Sequence, residues 1–145
     1  MGDRAALDVA LACGADGVHL GQADMPCEMA RALLGPERII GLSVENFEQL
    51  EQAGRLDVDY VGISPVFATP TKTDTAAPFG LEGLRKAVQL SARPTVAIGG
   101  INENTAADVI ATGVDGIAVV SAIVCADSPG EASARLLGMM NEKRI

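Results

Sequence analysis

A chain of 145 residues, 48% hydrophobic and 21% charged, carries about 70 apolar side chains, which suffices for one domain over 1–145 and excludes two. Its 11 basic and 19 acidic residues give a net charge of −8, which argues against nucleic acid or an anionic membrane as partner, yet leaves room for a local anion site built from backbone N–H groups and one lysine. No apolar run approaches a membrane span and the first residues do not read as a signal peptide; Cys13, Cys27 and Cys125 lack zinc spacing and suggest reduced, buried thiols in a cytoplasmic protein.

Taken in chain order, helical texture over Ala5–Cys13 leads into the apolar run Gly17–Gly21. A helix over Cys27–Leu34 precedes the run Ile39–Val44, and a helix over Phe47–Ala53 precedes Tyr60–Ser64. After Leu81–Leu90 comes the run Thr95–Gly99; after Ala106–Ala111 comes Ile117–Ser121; Glu131–Met140 closes the pattern. Each run is short, apolar and near a glycine, as expected for parallel strands buried on both faces.

With strand starts at Val18, Ile39, Tyr60, Thr95 and Ile117, the spacings are 21, 21, 35 and 22 residues. Such regularity favours a (β/α)8 barrel of the TIM type over a doubly wound sheet. The long unit contains an extra loop, Pro65–Pro78, of a length usually reserved for function. Five strands fall short of eight, so the expectation is an incomplete barrel lacking its first three strands, with raw edges that favour a homo-oligomer. A loose repeat, Gly14-Ala15-Asp16-Gly17 and Gly113-Val114-Asp115-Gly116, reads as helix-ending glycines followed by structural aspartates, and Asp57-Val58-Asp59 echoes it.

Barrel chemistry sits at the C-terminal strand ends. There the sequence places Asp3, Asp24, Ser43, the stretch Thr69-Pro70-Thr71-Lys72, the turn Gly99-Gly100, and Val120-Ser121. Two hard carboxylates facing a phosphorylated substrate suit Mg²⁺. Lys72 offers a point charge to a second phosphate, and the last two turns offer backbone amides. Taken singly, Asp24 could cap the helix after Pro26 and Ser43 the helix near Glu45. The one histidine, His19, lies inside a strand and reads as a buried structural residue.

At these motifs the chain closely resembles the thiamine-phosphate synthases. The matching segments are Gly17-Val18-His19-Leu20-Gly21-Gln22-Ala23-Asp24, Gly41-Leu42-Ser43, Thr69-Pro70-Thr71-Lys72-Thr73, Val96-Ala97-Ile98-Gly99-Gly100-Ile101 and Ala118-Val119-Val120-Ser121-Ala122-Ile123. Several of them are shared with the related thiazole tautomerases, but the loop after the third run lacks the histidine expected of a tautomerase. The resemblance implies a transferase of thiamine biosynthesis that joins hydroxymethylpyrimidine diphosphate to thiazole phosphate. It implies Mg²⁺ on Asp3 and Asp24, Ser43 on the pyrimidine, Lys72 on the leaving pyrophosphate, and Thr69, Pro70, Thr71, Gly100, Val120 and Ser121 around the thiazole phosphate. The family's Gln-x-Arg-x-Lys motif has no counterpart here, which implies weaker diphosphate binding by this chain alone. The alternative is a non-catalytic or regulatory homologue that binds thiazole phosphate.

Overall fold

The computed structural model describes residues 4–68 and 77–142. Its elements alternate: α1 (Arg4–Cys13), β1 (Gly17–Leu20), α2 (Cys27–Leu34), β2 (Ile39–Val44), α3 (Phe47–Ala53), β3 (Tyr60–Ile63), α4 (Gly80–Leu90), β4 (Thr95–Ile98), α5 (Glu103–Ala111), β5 (Gly116–Ala118), α6 (Ser121–Val124) and α7 (Pro129–Glu142). The strands form one parallel sheet in the order β1-β2-β3-β4-β5. Every strand lies beside its sequence neighbours. A doubly wound sheet would reverse direction at a switch point; this one never does, so its winding is that of a barrel wall. The sheet is not closed: β1 and β5 are its two edges among the described residues.

Register separates two faces with different fates. Leu20, Leu42, Val61 and Thr95 stand in one row, and Val44, Ile63 and Ala97 in the next. These residues are at most 6% exposed. All of them but Thr95 share one hydrophobic core with Leu34 of α2, Leu50 of α3, Leu84 of α4, Val109 of α5 and Leu136 of α7. Burying each aliphatic side chain of that size contributes roughly 1.5–3 kcal/mol. The opposite face carries His19, Gly41 and Tyr60 in one row and Ser43, Gly62 and Val96 in the next. There Ile39 is 50% exposed. The expectation of strands buried on both faces therefore fails. The helices cover one side, and a barrel's inner face is covered only by strands across the barrel.

The N-terminal strand ends are held by a repeated device. Asp59 donates its amide to the Ile40 carbonyl at 2.8 Å and accepts the Ile40 amide on Oδ2 at 2.7 Å. Asp115 does the same to Thr95, at 2.9 and 2.8 Å. Each aspartate thus fixes the register between its own strand and the preceding one, which bears out the structural reading of these aspartates. Gly14 and Gly113, with φ of 67° and 108°, supply the left-handed residue that ends α1 and α5. Arg31 of α2 reaches the same end, pairing with Asp57 at 3.1 Å and Asp59 at 2.8 Å.

Two boundaries depart from the sequence reading by three residues, and the burial of the cysteines departs from it as well. The last strand stops at Ala118, and Ser121 opens the short helix α6 rather than ending a strand. The helix α5 begins at Glu103, three residues early, because Asn102 accepts the Asn104 amide while Thr105 Oγ1 accepts the Asn102 amide, at 2.9 and 3.0 Å. That reciprocal cap offsets the weak helix propensity of Asn104 and Thr105. Of the cysteines only Cys27 is buried; Cys13 and Cys125 are free and exposed, against the expectation of three buried thiols.

Candidate active site at the strand ends

The inner face of β1, β2 and β3 holds a linked polar group. His19 Nε2 is hydrogen-bonded to Ser43 Oγ at 2.8 Å, and His19 Nδ1 to the Tyr60 hydroxyl at 2.9 Å. The sheet register makes this geometry. His19 of β1 and Tyr60 of β3 both stand opposite Gly41 of β2, so their side chains meet over a residue that has none. A Cβ at Gly41 would overlap the Tyr60 ring and His19 Nδ1, and one at Gly62 would lie 3.1 Å from His19 Cε1. Two glycines thus make the floor on which the imidazole rests. Its surroundings remove enough water to hold His19 below the ordinary histidine value, while the nearby Asp24 carboxylate pulls weakly the other way. Burial pushes the Tyr60 phenol up. Both groups are therefore neutral at physiological pH.

His19 is not a core histidine. It faces the open side of the sheet and belongs to the candidate site. Ser43 does not cap a helix; the α3 cap is Asn46, whose side chain accepts the Gln49 amide at 2.9 Å. Tyr60 and Gln22 were not singled out by the sequence reading. Gln22 Nε2 donates to the Ser43 carbonyl at 2.6 Å and ties the end of β1 to β2. The signal for Tyr60 was the alternation that puts it on the same face as His19 with glycine between them.

Asp24 sits in the turn that follows β1. Its Oδ2 accepts the Gly21 amide at 2.6 Å, while its own amide donates to the Gly21 carbonyl at 3.2 Å. It does not cap α2, whose N-terminus is Pro26 with no side-chain cap. The bonds of the turn engage Oδ2, and the second carboxylate oxygen takes no part in them.

Across the sheet, β4 is followed by Gly99 and Gly100, with φ of 103° and 69°. Both need glycine for contact as well as for conformation. A Cβ on Gly99 would come within 2.9 Å of Pro65, and one on Gly100 within 2.8 Å of Phe67 Cβ. The amides of Val66 and Phe67 donate to the carbonyls of Ile98 and Gly99 at 3.0 and 3.1 Å. This knits the turn to the segment after β3. Among the described residues no acceptor takes the Gly100 amide. Pairing of Ile98 with Ala118 starts the next turn alongside, where Val120 is 63% exposed and Ser121 opens α6. Two strand spacings, roughly 10 Å, separate Ser43 on β2 from the end of β4.

Asp3, Thr69, Pro70, Thr71 and Lys72 lie outside the described residues. Of the expected carboxylate pair only Asp24 is described, and the described residues contain no cluster of three or more metal-binding side chains. The Asp24 carboxylate oxygen that the turn leaves unused is of the hard kind that fits Mg²⁺, which commonly takes one or two protein carboxylates and fills its shell with water and substrate oxygens.

Among the described residues no helix is long and apolar enough to cross a membrane. The solved thiamine phosphate pyrophosphorylase from Pyrococcus furiosus superposes with a TM-score of 0.86 at 46% identity, covering 94% of this chain and 65% of that one. A 3-hexulose-6-phosphate synthase from Salmonella typhimurium, at 16% identity and a TM-score of 0.72, shares the fold alone. Curated thiamine-phosphate synthases from Vibrio campbellii and Albidiferax ferrireducens are 56% and 57% identical over 134 and 130 residues, which is 92% and 90% of this chain. The chain spans 66% and 59% of the length of those two relatives. A family model described as thiamine monophosphate synthase matches residues 3–123, and the chain belongs to that family.

Proposed function

We propose that the chain supplies the site of a thiamine-phosphate synthase. In that reaction the C–O bond of hydroxymethylpyrimidine diphosphate breaks, the electron pair leaves with pyrophosphate, and the thiazole-phosphate nitrogen forms a C–N bond to the exposed methylene carbon. The observation that carries the reading is the gathering of Asp24, the His19–Ser43 pair and the Gly99–Gly100 turn at the C-terminal ends of one parallel sheet. Barrel active sites are built at that end.

Within this reading Ser43 contacts the pyrimidine. The Gly100 amide, with Val120 and Ser121 at the neighbouring strand end, receives the thiazole phosphate. The spacing of roughly 10 Å between β2 and the end of β4 suits two ligands lying side by side over the sheet. Thr69, Pro70 and Thr71 are assigned to the thiazole phosphate, and Lys72 to the departing pyrophosphate, from their place in the segment after β3. Asp3 and Asp24 would hold Mg²⁺, which when bound neutralises charge on the diphosphate. Neutral His19 orients Ser43 and takes no proton, because the thiazole nitrogen attacks with its own lone pair. The partners are small molecules, with neither nucleic acid nor membrane among them. Cysteines without disulfides fit a cytoplasmic setting. An exposed inner face and two strand edges fit association of copies.

The test is calorimetric binding of thiazole phosphate to the 145-residue chain, together with chromatographic detection of thiamine phosphate when both substrates and Mg²⁺ are supplied. Thiazole-phosphate binding is expected, with slow product formation at most, because the family's Gln-x-Arg-x-Lys motif has no counterpart in this chain. Lys72→Ala should slow product formation by about 30- to 1,000-fold, the effect of losing one charge-assisted contact to a leaving group. Absence of both binding and product would reject the assignment.

A further inference from the structure

We propose that Tyr60 is a positioning residue for this site: it fixes the tautomer of His19 and thereby makes the Ser43 hydroxyl a hydrogen-bond donor toward the ligand. The inference rests on the reading of Ser43 as a pyrimidine contact, and it concerns residues that reading leaves without a task.

A neutral imidazole has one N–H and one bare nitrogen, so the chain Tyr60–His19–Ser43 can run in only two directions. In the first, the Tyr60 hydroxyl donates to Nδ1, and Nε2–H donates to Ser43 Oγ. The Ser43 proton then points away from His19, toward the open face. In the second, Nδ1–H donates to Tyr60, and Ser43 donates to Nε2. Ser43 then offers only lone pairs. Geometry decides between them. Among the described residues the Tyr60 hydroxyl has His19 Nδ1 as its single hydrogen-bond partner, at 2.9 Å. The second arrangement would leave the proton of a half-buried phenol without a described acceptor, at a real cost. A phenol is also a far stronger acid than an alkanol, and burial keeps this one protonated. Ser43 lies on the face that none of the described helices covers, so its own proton can be given outward.

Gly41 makes the relay possible. The tyrosine and the histidine come from strands that are not neighbours, and their hydrogen bond crosses above Gly41, where any side chain would overlap both groups. The consequence is a statement about specificity. With its proton directed outward, Ser43 selects a hydrogen-bond acceptor, such as an unprotonated ring nitrogen of an aminopyrimidine, over a donor such as its exocyclic amino group.

His19 is the single histidine of the chain, so ¹⁵N-labelled imidazole gives one spin system without assignment. In the parent the spectrum should show Nε2 protonated and Nδ1 bare. Tyr60→Phe, which keeps the ring and removes the hydroxyl, should move the tautomer ratio roughly fivefold toward Nδ1–H. Gly41→Ala should do the same with the hydroxyl still present. Ser43→Ala should leave Nε2–H dominant, because Tyr60 still donates. A parent spectrum showing Nδ1–H, or a Tyr60→Phe spectrum unchanged from the parent, would overturn the proposal. In binding, Tyr60→Phe should weaken hydroxymethylpyrimidine diphosphate roughly 3- to 10-fold and leave thiazole phosphate affinity untouched; equal weakening of both would overturn the role at Ser43. Failure of the parent itself to bind the pyrimidine would count against the functional reading alone, since the tautomer spectrum tests the relay independently.

Discussion

Asp115 grips Thr95 through both of its backbone polar groups: its amide donates to the Thr95 carbonyl at 2.9 Å, and its Oδ2 accepts the Thr95 amide at 2.8 Å and hydroxyl at 3.1 Å. Thr95 is 2% exposed, so without Asp115 its amide and hydroxyl would be left unpaired at the start of β4. Asp115→Ala should therefore lower unfolding free energy by about 2 kcal/mol. Urea denaturation checks this. A loss below about 0.5 kcal/mol would mean that water replaces the carboxylate without penalty.

The twin device at Asp59 predicts a pH dependence. The hydrogen bond from the Ile40 amide, helped by the Arg31 guanidinium, holds the Asp59 carboxyl below its ordinary value against the opposing effect of burial. The unfolded chain therefore binds the proton first. Stability from this group is fully present above the ordinary aspartate value of about 3.9 and is lost as pH falls through the lower folded value. Denaturation midpoints measured downward from pH 5 should fall more steeply for the parent than for Asp59→Asn. Parallel curves would remove Asp59 from the acid sensitivity of the fold.

Asp24→Asn separates two tasks of one side chain. The amide oxygen of asparagine can still accept the Gly21 amide, so the turn after β1 should survive, with a melting temperature close to the parent's. The charge is lost. Mg²⁺ binding in the presence of pyrophosphate, measured by calorimetry, should weaken at least tenfold while thiazole-phosphate affinity stays within about twofold. Equal losses in both titrations would leave Asp24 as a turn residue only.

Gly100→Val should weaken thiazole-phosphate binding by tenfold or more, because a side chain at φ 69° is strained and its Cβ would press on Phe67. A circular dichroism melt shows whether the variant folds. A folded variant with parental affinity would move the phosphate elsewhere.

Light scattering should return a mass above the 14.9 kDa of one chain. Edges at β1 and β5 that are unpaired among the described residues, with Ile39 50% exposed on the inner face, favour association. A cooperative monomer at micromolar concentration would show that the open sheet is stable alone.

The sequence by itself determined the parts of this protein that depend on local rules. The short apolar runs located β2 at Ile39–Val44 to the residue, and helical periodicity located α2 at Cys27–Leu34 and α3 at Phe47–Ala53. Near-constant spacing indicated a parallel, singly wound sheet, and the strand-end motifs indicated the family. Only the tertiary structure decided which face of each strand is covered. A strand of four residues carries side chains on both faces, and the periodicity of a buried run is the same whether one layer or two lie over it. For that reason His19 read as core and proved to face the site. Its partnership with Tyr60 rests on three strands meeting in register over Gly41, a relationship between residues 19, 41 and 60 that no local pattern encodes. The end of β5 was lost for a related reason. Val119 and Val120 are as apolar and β-prone as any strand, and α6 takes over at Ser121 through contacts with α7 that only the folded chain supplies.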